Sequence, residues 1–441
     1  MSRRLDDMVA SAIGVAAAGS LALTTWIWLR TGSLTPVLRD PTVPNVSEAY
    51  LTGLWSSNLM VLQVLFLARV PWLERSWGRE RLTRRHRQAG YWSFWLMLVH
   101  VYLFALRAAL AEPGHGGDGL VRVFFTNRHM LVATIGTLLL VAVVVTSVRR
   151  ARRALRYEAW HVIHLWAYLG MGLALPHQLV SADFAVGWVL GYWWTLYLVA
   201  LGAVLAFRVA LPLWRSSYHR LRVVDVRREA GDAVSIEVGG RDVVGLGARP
   251  GQFLVWRFLG RRGGWSGHPY SLSAAPADRL RVTVRDDGGG PVTAGARVLV
   301  EGPYGAPPVR HHDRLLLLAA GIGVTPFRAL LEGLPLRPGE ATLVHRVHDA
   351  DDALFRDELA ALAAQRGFRV ELLAGPRRAN GSWLPAGVEA DEVEVLRRLA
   401  LDVTGSDVVV CGPPGWADAV RRTARAAGVR RRDLHLEHFG W

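Results

Sequence analysis

The chain has 441 residues, enough for two or three domains. Its net charge of +15 comes from arginine alone, for no lysine occurs, and the arginines cluster between apolar runs. That placement fits membrane topology and excludes a nucleic-acid footprint, while the single cysteine, Cys411, excludes an intramolecular disulfide framework and any multi-cysteine metal site.

Long apolar runs fill the first half, whereas the part after about residue 215 alternates charged and apolar residues as a soluble protein does. Six segments, near 8–29, 47–69, 89–111, 129–148, 158–180 and 184–211, reach the roughly 20 residues needed to cross a hydrocarbon core of about 30 Å. The first follows "MSRR" as a signal peptide would, but its apolar run is longer than an ordinary h-region, so it is expected to stay as a span. Arginines crowd the connections between Arg69 and Arg87 and between Arg149 and Arg156. The positive-inside rule then puts both termini in the cytoplasm. Trp28, Trp72, Trp92, Trp160 and Trp214 stand toward span ends, as an interfacial belt requires.

Histidines inside these spans need an explanation, because polar ring nitrogens in hydrocarbon are costly unless satisfied. The third span carries His86 and His100, and the fifth carries His164 and His177. At 1.5 Å per residue the two separations are roughly 21 and 20 Å, so both helices offer histidines at two matching depths. On an ideal helix His177 would point about 140° away from His164. Pro176, with Gly170 and Gly172 before it, is expected to kink or rewind the helix there. Two cross-helix histidine pairs suit two haems, each iron held by two imidazoles. His161 is expected beside such a site, and His115 and His129 at loop or span-edge positions.

The second half reads first as short strands, "LRVVDVRRE", "AVSIEVGG", "QFLVWRFL", "RLRVTVRDD" and "RVLVEGPYG", a pattern that predicts a small antiparallel barrel. From Arg314 strands and helices alternate, which predicts a parallel sheet covered on both faces and a nucleotide at its C-terminal edge. Three motifs carry chemistry. In "HPYSLSAAP" the Tyr270 ring can lie on an isoalloxazine and the Ser271 hydroxyl can bond a flavin nitrogen. In "GIGVTP" Gly321 and Gly323 admit a pyrophosphate to a helix N-terminus, although Pro326 replaces the third glycine of the dinucleotide fingerprint. In "CGPPG" Cys411 can border the nicotinamide or be a small buried thiol. The terminal "LHLEHFGW" puts Glu437, Phe439 and Trp441 where the chain could fold back over a flavin.

Together these motifs resemble the ferredoxin-NADP reductase superfamily, and the six spans with four histidines resemble the membrane domain of ferric reductases and NADPH oxidases. The resemblance implies three domains: a six-helix haem domain at 1–213, an FAD-binding β-barrel at 214–310 and an NAD(P)H-binding α/β domain at 311–441. It implies that His268, Pro269, Tyr270 and Ser271 hold the flavin ring and that Arg285 stands near the FAD diphosphate. Gly321, Gly323, Thr325 and Pro326 are then the NADPH pyrophosphate turn, with Cys411, Gly412 and Pro413 the nicotinamide loop. Phe439 or Trp441 covers the flavin. Arg346, ending the second parallel strand, is placed to pair a 2′-phosphate.

The expected cofactors are FAD, two haems b and NADPH or NADH. NADPH gives up two electrons as a hydride and haem accepts one, so FAD must stand between them. The expected path runs from FAD to a haem at His86 and His164, then to one at His100 and His177, in a multi-pass protein of the cell membrane. Dioxygen, a ferric chelate and an extracytoplasmic partner protein all remain open as acceptors. A histidine-lined proton pathway, or a non-redox membrane protein with a regulatory nucleotide-binding domain, remains the alternative.

Overall fold

Apolar runs without internal charge leave the backbone no partner in hydrocarbon but itself, so they fold as helices. In this computed structural model, the described residues are 3–30, 46–111, 116–121, 124–125, 127–155, 157–180, 187–260, 264–285, 290–305, 312–378, 381–400 and 402–437. The chain divides into two units, Met1–Ala210 and Leu211–Trp441.

The first unit contains α1 (Arg3–Arg30), α2 (Val46–Phe66), α3 (Pro71–Trp77), α4 (Arg79–Ala111), α5 (Gly116–Val121), α6 (Arg128–Ser147), α7 (Arg149–Ala154), α8 (Tyr157–Leu179) and α9 (Gly187–Ala203). A π-helical stretch, Val204–Ala210, ends it. Among the described residues, five helices are long and apolar enough to cross a membrane; α8 is not one of them. Its 23 residues match the length required, but three histidines, Glu158 and Gln178 lower its hydropathy. The arginine-rich stretch before the third expected span is itself helical, so α4 begins at Arg79 rather than near 89. At Pro176, where a kink or rewinding was expected, α8 runs on to Leu179, because a proline forfeits one amide donor while the flanking helical bonds persist.

Helix α2 packs on α4, and α6 packs on α8. Glycine makes the second contact possible. A Cβ on Gly136 would come 2.6 Å from the Gly170 carbonyl oxygen, so only glycine lets the two backbones meet there.

The second unit opens with α10 (Leu211–His219) and continues as β1 (Arg222–Arg228), β2 (Ala233–Gly239), β3 (Phe253–Phe258), β4 (His268–Ser271), β5 (Arg279–Arg285) and β6 (Val298–Tyr304). All of these strands but β4 stand where the alternation put them. They form two three-stranded antiparallel sheets, β1-β2-β5 and β4-β3-β6, rather than one continuous barrel ladder. Isolated bridges at Arg222–Arg297 and Leu272–Val282 join them. Pro269 has no N–H to donate, which suits β4 to a sheet edge. One core, including Ile236, Leu254, Trp256, Leu280 and Val282, fills the space inside.

The remaining strands, β7 (Arg314–Ala320), β8 (Ala341–Val347), β9 (Arg369–Ala374), β10 (Ser406–Cys411) and β11 (Leu434–Glu437), form a parallel sheet in the order β11-β10-β7-β8-β9. Four helices accompany it: α11 (Thr325–Gly333), α12 (Arg356–Arg366), α13 (Glu392–Leu399) and α14 (Pro414–Ala426). Alternate residues of β7 feed two cores. Leu315, Leu317 and Ala319 pack with Phe327, Leu330 and Leu359, while Leu316 and Leu318 pack with Leu396, Ala417 and Val420. Burial on both faces is why these strands read as unbroken apolar runs. Strand order reverses between β7 and β10, and such a switch point leaves a crevice at the strand C-termini.

Candidate functional site

Two sites emerge, one in each unit. In the membrane unit the rings of His86 and His164 lie 6.1 Å apart between centroids, and those of His100 and His177 lie 6.3 Å apart. The sequence pairing by depth is therefore realised.

Each imidazole is tethered through Nδ1. That of His86 lies 3.0 Å from the Gln63 carbonyl oxygen, that of His100 lies 2.7 Å from the Ala49 carbonyl oxygen, and that of His177 meets the Ala174 carbonyl. A carbonyl only accepts, so Nδ1 must carry the proton in all three rings. The His164 Nδ1 stands 3.2 Å from Ser147 Oγ, and that hydroxyl already donates to the Val143 carbonyl at 2.6 Å. Ser147 therefore accepts from His164 as well as from the Trp160 indole, 3.3 Å away. All four rings are left with a bare lone pair on Nε2, the state a metal requires.

The pairs fit an iron porphyrin. A metal held linearly between two imidazole nitrogens at about 2 Å each sets the ring centroids roughly 6 Å apart. Among the described residues no three His, Cys, Asp or Glu gather as a metal site, so a bare ion would lack ligands. A haem brings four of its own. Gly53 shapes this place too, for a Cβ there would stand 2.6 Å from His100 Nδ1. Trp160 stacks on His164 at 5.0 Å between centroids, and Arg152 lies over the same indole. Sequence reading missed Gly53, Ser147 and Arg152, since nothing local distinguishes them from span packing. His161 neighbours Trp160, with centroids 6.4 Å apart. His129 sits exposed near the start of α6, and His115 lies outside the described residues.

The second site is a cleft of about 710 Å³ at the strand C-termini. Gly321 and Gly323 follow β7, Arg346 and Val347 end β8 with His348 after them, Arg377 and Arg378 follow β9, and Gly412 to Trp416 follow β10; Arg285, at the end of β5, also lines it. Gly321 has φ +55°, and the Arg285 guanidinium stands 3.4 Å from where its Cβ would be. Packing also requires Gly323: a Cβ there would strike the Cys411 carbonyl oxygen at 2.2 Å. It allows strand packing, while Gly321 supplies the left-handed turn. Thr325 bonds back to the Ile322 carbonyl at 3.0 Å, and Pro326 is buried at the start of α11.

Several expected residues take supporting places. The Cys411 side chain is buried in the core and does not line the cleft; burial, with Glu437 adding to it, pushes its thiol well above the ordinary range. Arg346 donates to the carbonyls of Val347, Leu373 and Pro376, so much of its fork is already engaged. Arg377 and Arg378 were overlooked, although basic residues just after a parallel strand are a readable signal for this crevice. On β4 the His268 and Tyr270 rings stack at 5.8 Å and 7°, as side chains two apart on one strand face can. Pro269 and Ser271 flank Tyr270 on that strand, opposite Val255 and Phe253. Phe439 and Trp441 lie outside the described residues.

Beneath the turn, buried His345 places Nε2 3.1 Å from the Gly321 carbonyl oxygen. Burial lowers its pKa to about 4 against the opposing pull of that hydrogen bond. The depressed folded value means the unfolded chain takes up the proton first. Stability contributed by neutral His345 is whole above the ordinary pKa near 6.5 and is lost as pH falls toward about 4, by on the order of 3 kcal/mol. Replacing His345 with Gln is expected to flatten the pH dependence of thermal unfolding in this window; an unchanged slope would contradict the assignment.

Comparison with known proteins bears on both sites. The family model "Ferric reductase like transmembrane component" matches residues 52–175, and "Oxidoreductase NAD-binding domain" matches 317–422. The chain is 31% identical over 236 residues to the ferredoxin reductase component of 3-ketosteroid-9-alpha-monooxygenase from Mycolicibacterium smegmatis, covering 50% of this chain and 65% of that one. It is 30% identical over 255 residues to an NADPH oxidoreductase of Mycobacterium tuberculosis, covering 52% and 62%. It thus spans less than two thirds of the length of these relatives. Among solved structures, the flavohaem-like FAD/NAD-binding domain of a Vibrio cholerae nitric oxide dioxygenase aligns with a TM-score of 0.40 at 24% identity, over 50% of this chain and 99% of that domain. The chain thus joins a segment similar to ferric reductase-like transmembrane components to one similar to oxidoreductase NAD-binding domains and ferredoxin reductase components.

Proposed function

We propose that the protein carries electrons from cytoplasmic NADPH across the membrane to an extracytoplasmic acceptor, dioxygen or a ferric chelate, with both termini in the cytoplasm. The observation that carries this reading is the pair of histidine levels, 6.1 and 6.3 Å between ring centroids, each ring with its Nδ1 proton engaged. When bound, FAD accepts a hydride and releases electrons singly, and haem iron relays them one at a time.

The chain's own groups prepare for that chemistry. His86 with His164, and His100 with His177, would hold the haems through Nε2, with the ring orientations fixed by backbone carbonyls and the Ser147 hydroxyl. His268 to Ser271 hold the flavin ring, with Phe439 or Trp441 covering it. At the cleft the Gly321 turn offers backbone amides to a pyrophosphate, and Arg285 adds charge beside it. Gly412 and Pro413 border the nicotinamide, with Cys411 supporting that loop from the core. Arg377 and Arg378 take the 2′-phosphate, with Arg346 bracing the adjacent backbone, so NADPH is preferred to NADH.

A second reading, an electron donor to an extracytoplasmic partner protein, is favoured by relatives named as the ferredoxin reductase or electron transfer components of oxygenases. Superoxide, ferric-chelate and oxygen-consumption assays on the same sealed vesicles separate the acceptors.

Two tests follow. Replacing His164 with Leu is expected to abolish one haem while leaving flavin reduction by NADPH; Gly53→Ala should disturb the other level by displacing the His100 ring, whereas Gly172→Ala, which meets nothing within 4 Å, should not. Haem content by difference spectra reads both, and two intact haems in His164→Leu would refute the pairing. Replacing Arg377 and Arg378 with Ala should raise the KM for NADPH about 10- to 100-fold and leave that for NADH unchanged, as loss of charged hydrogen bonds implies. Equal effects on both would assign these arginines elsewhere.

A further inference from the structure

We propose that Glu358 is a positioning residue: held by Arg281 and Arg328, it locks the segment that follows the flavin-ring strand onto the helix leaving the Gly321 turn, and so sets the distance the hydride must cross. The proposal rests on the reading of the cleft as the NADPH site.

Arg281 lies on β5, in the antiparallel part, and is buried. Its two terminal nitrogens each donate to one Glu358 oxygen at 2.8 Å, across to α12 in the parallel part. Such a fork fixes angle as well as distance. The same guanidinium donates to the Ser273 carbonyl at 3.0 Å, two residues beyond Ser271. Buried Arg328, on α11, donates through Nε to the same Glu358 carboxylate at 2.8 Å and through its fork to Glu332. Glu332 in turn accepts the Ala275 amide. The carboxylates therefore tie β5 and the turn after β4 to α11 and α12 by four charged groups.

Position makes this network more than general stabilisation. Ser273 and Ala275 follow the His268–Ser271 strand directly, and α11 begins where the Gly321–Val324 turn ends. Any slip along this seam moves one half of the proposed hydride path against the other. Glycines also let side chains press closely along this seam, since a Cβ on Gly333 would strike the Pro250 ring at 2.2 Å and one on Gly251 would strike the Leu330 side chain at 2.7 Å. Apolar contacts alone tolerate sliding, whereas a forked ion pair does not. Phe355, under the Arg281 guanidinium at 5.0 Å, holds φ +60° just before α12, a costly conformation for a bulky residue. Burial pushes the Glu358 carboxyl up, but Arg281 and Arg328 outweigh it and hold it below its ordinary range, so the clamp is charged at neutral pH.

The test uses the full-length protein. Hydrogen exchange on the cofactor-free chain should show the segments 273–281 and 355–360 losing protection together in Glu358→Gln. Anaerobic stopped-flow of the FAD-loaded protein should show the limiting rate of flavin reduction falling on the order of 10- to 100-fold, as about 1 Å of misplacement costs, with the Kd for NADPH within about twofold of wild type. Glu358→Asp, which keeps the charge, should recover part of the rate and guards against a Gln variant that does not fold. A wild-type rate in Glu358→Gln overturns the proposal, and so does loss of FAD from both variants, which would make the clamp merely structural. Failure of NADPH to reduce the wild-type flavin would count instead against the reading of the cleft.

Discussion

An imidazole has two nitrogens and, when neutral, one proton, so the group that takes the proton decides which nitrogen keeps a lone pair. In the membrane unit the chain takes that proton four times, through the carbonyls of Gln63, Ala49 and Ala174 and the hydroxyl of Ser147. The constraint propagates outward. It demands that α2 pass close enough to α4 to offer two carbonyls fourteen residues apart, and Gly53 makes room for the His100 ring that meets the Ala49 carbonyl. It demands that α6 and α8 lie close enough for Ser147 to reach His164, a proximity Gly136 and Gly170 permit.

In the second unit the governing feature is the reversal of strand order between β7 and β10. It opens a crevice that neither strand's side chains fill, and it brings residues far apart in sequence, Gly321, Arg346, Arg377 and Gly412, to one rim. Arginine is the only strong cation in this chain, and three of the residues arriving there from β8 and β9 are arginines. Such a rim favours a ligand carrying several phosphates.

Strands and helices of the second unit were legible because burial on one face or both writes period-two alternation or unbroken apolar runs. The histidine pairing was legible because helix rise is constant, so equal sequence separations mean equal depths. Angular reasoning pointed the same way only through Pro176: an ideal helix turned His177 away, a kink or rewinding at Pro176 was expected to restore it, and the ring reaches His100 from a helix that runs through the proline. The hydroxyl of Ser147, the space at Gly53 and the crossing of Arg281 to Glu358 were not legible, because each depends on which elements become neighbours. Gly323 was read as admitting a pyrophosphate, and the close approach of the Cys411 carbonyl, which the sequence could not show, requires it as well. Closure of the antiparallel strands was not legible, since alternation records burial but not which edges join.

The account depends most on paired imidazoles binding iron porphyrin at two depths. Haem and FAD quantified per chain in the same purified, full-length preparation, with the reduced-minus-oxidised spectrum recorded after adding NADPH anaerobically, test this most directly. Two haems and one FAD, with both haems in the low-spin, bis-imidazole state and reducible, are expected. A folded, FAD-containing protein without haem, or with haem lacking the bis-imidazole spectrum, would contradict it.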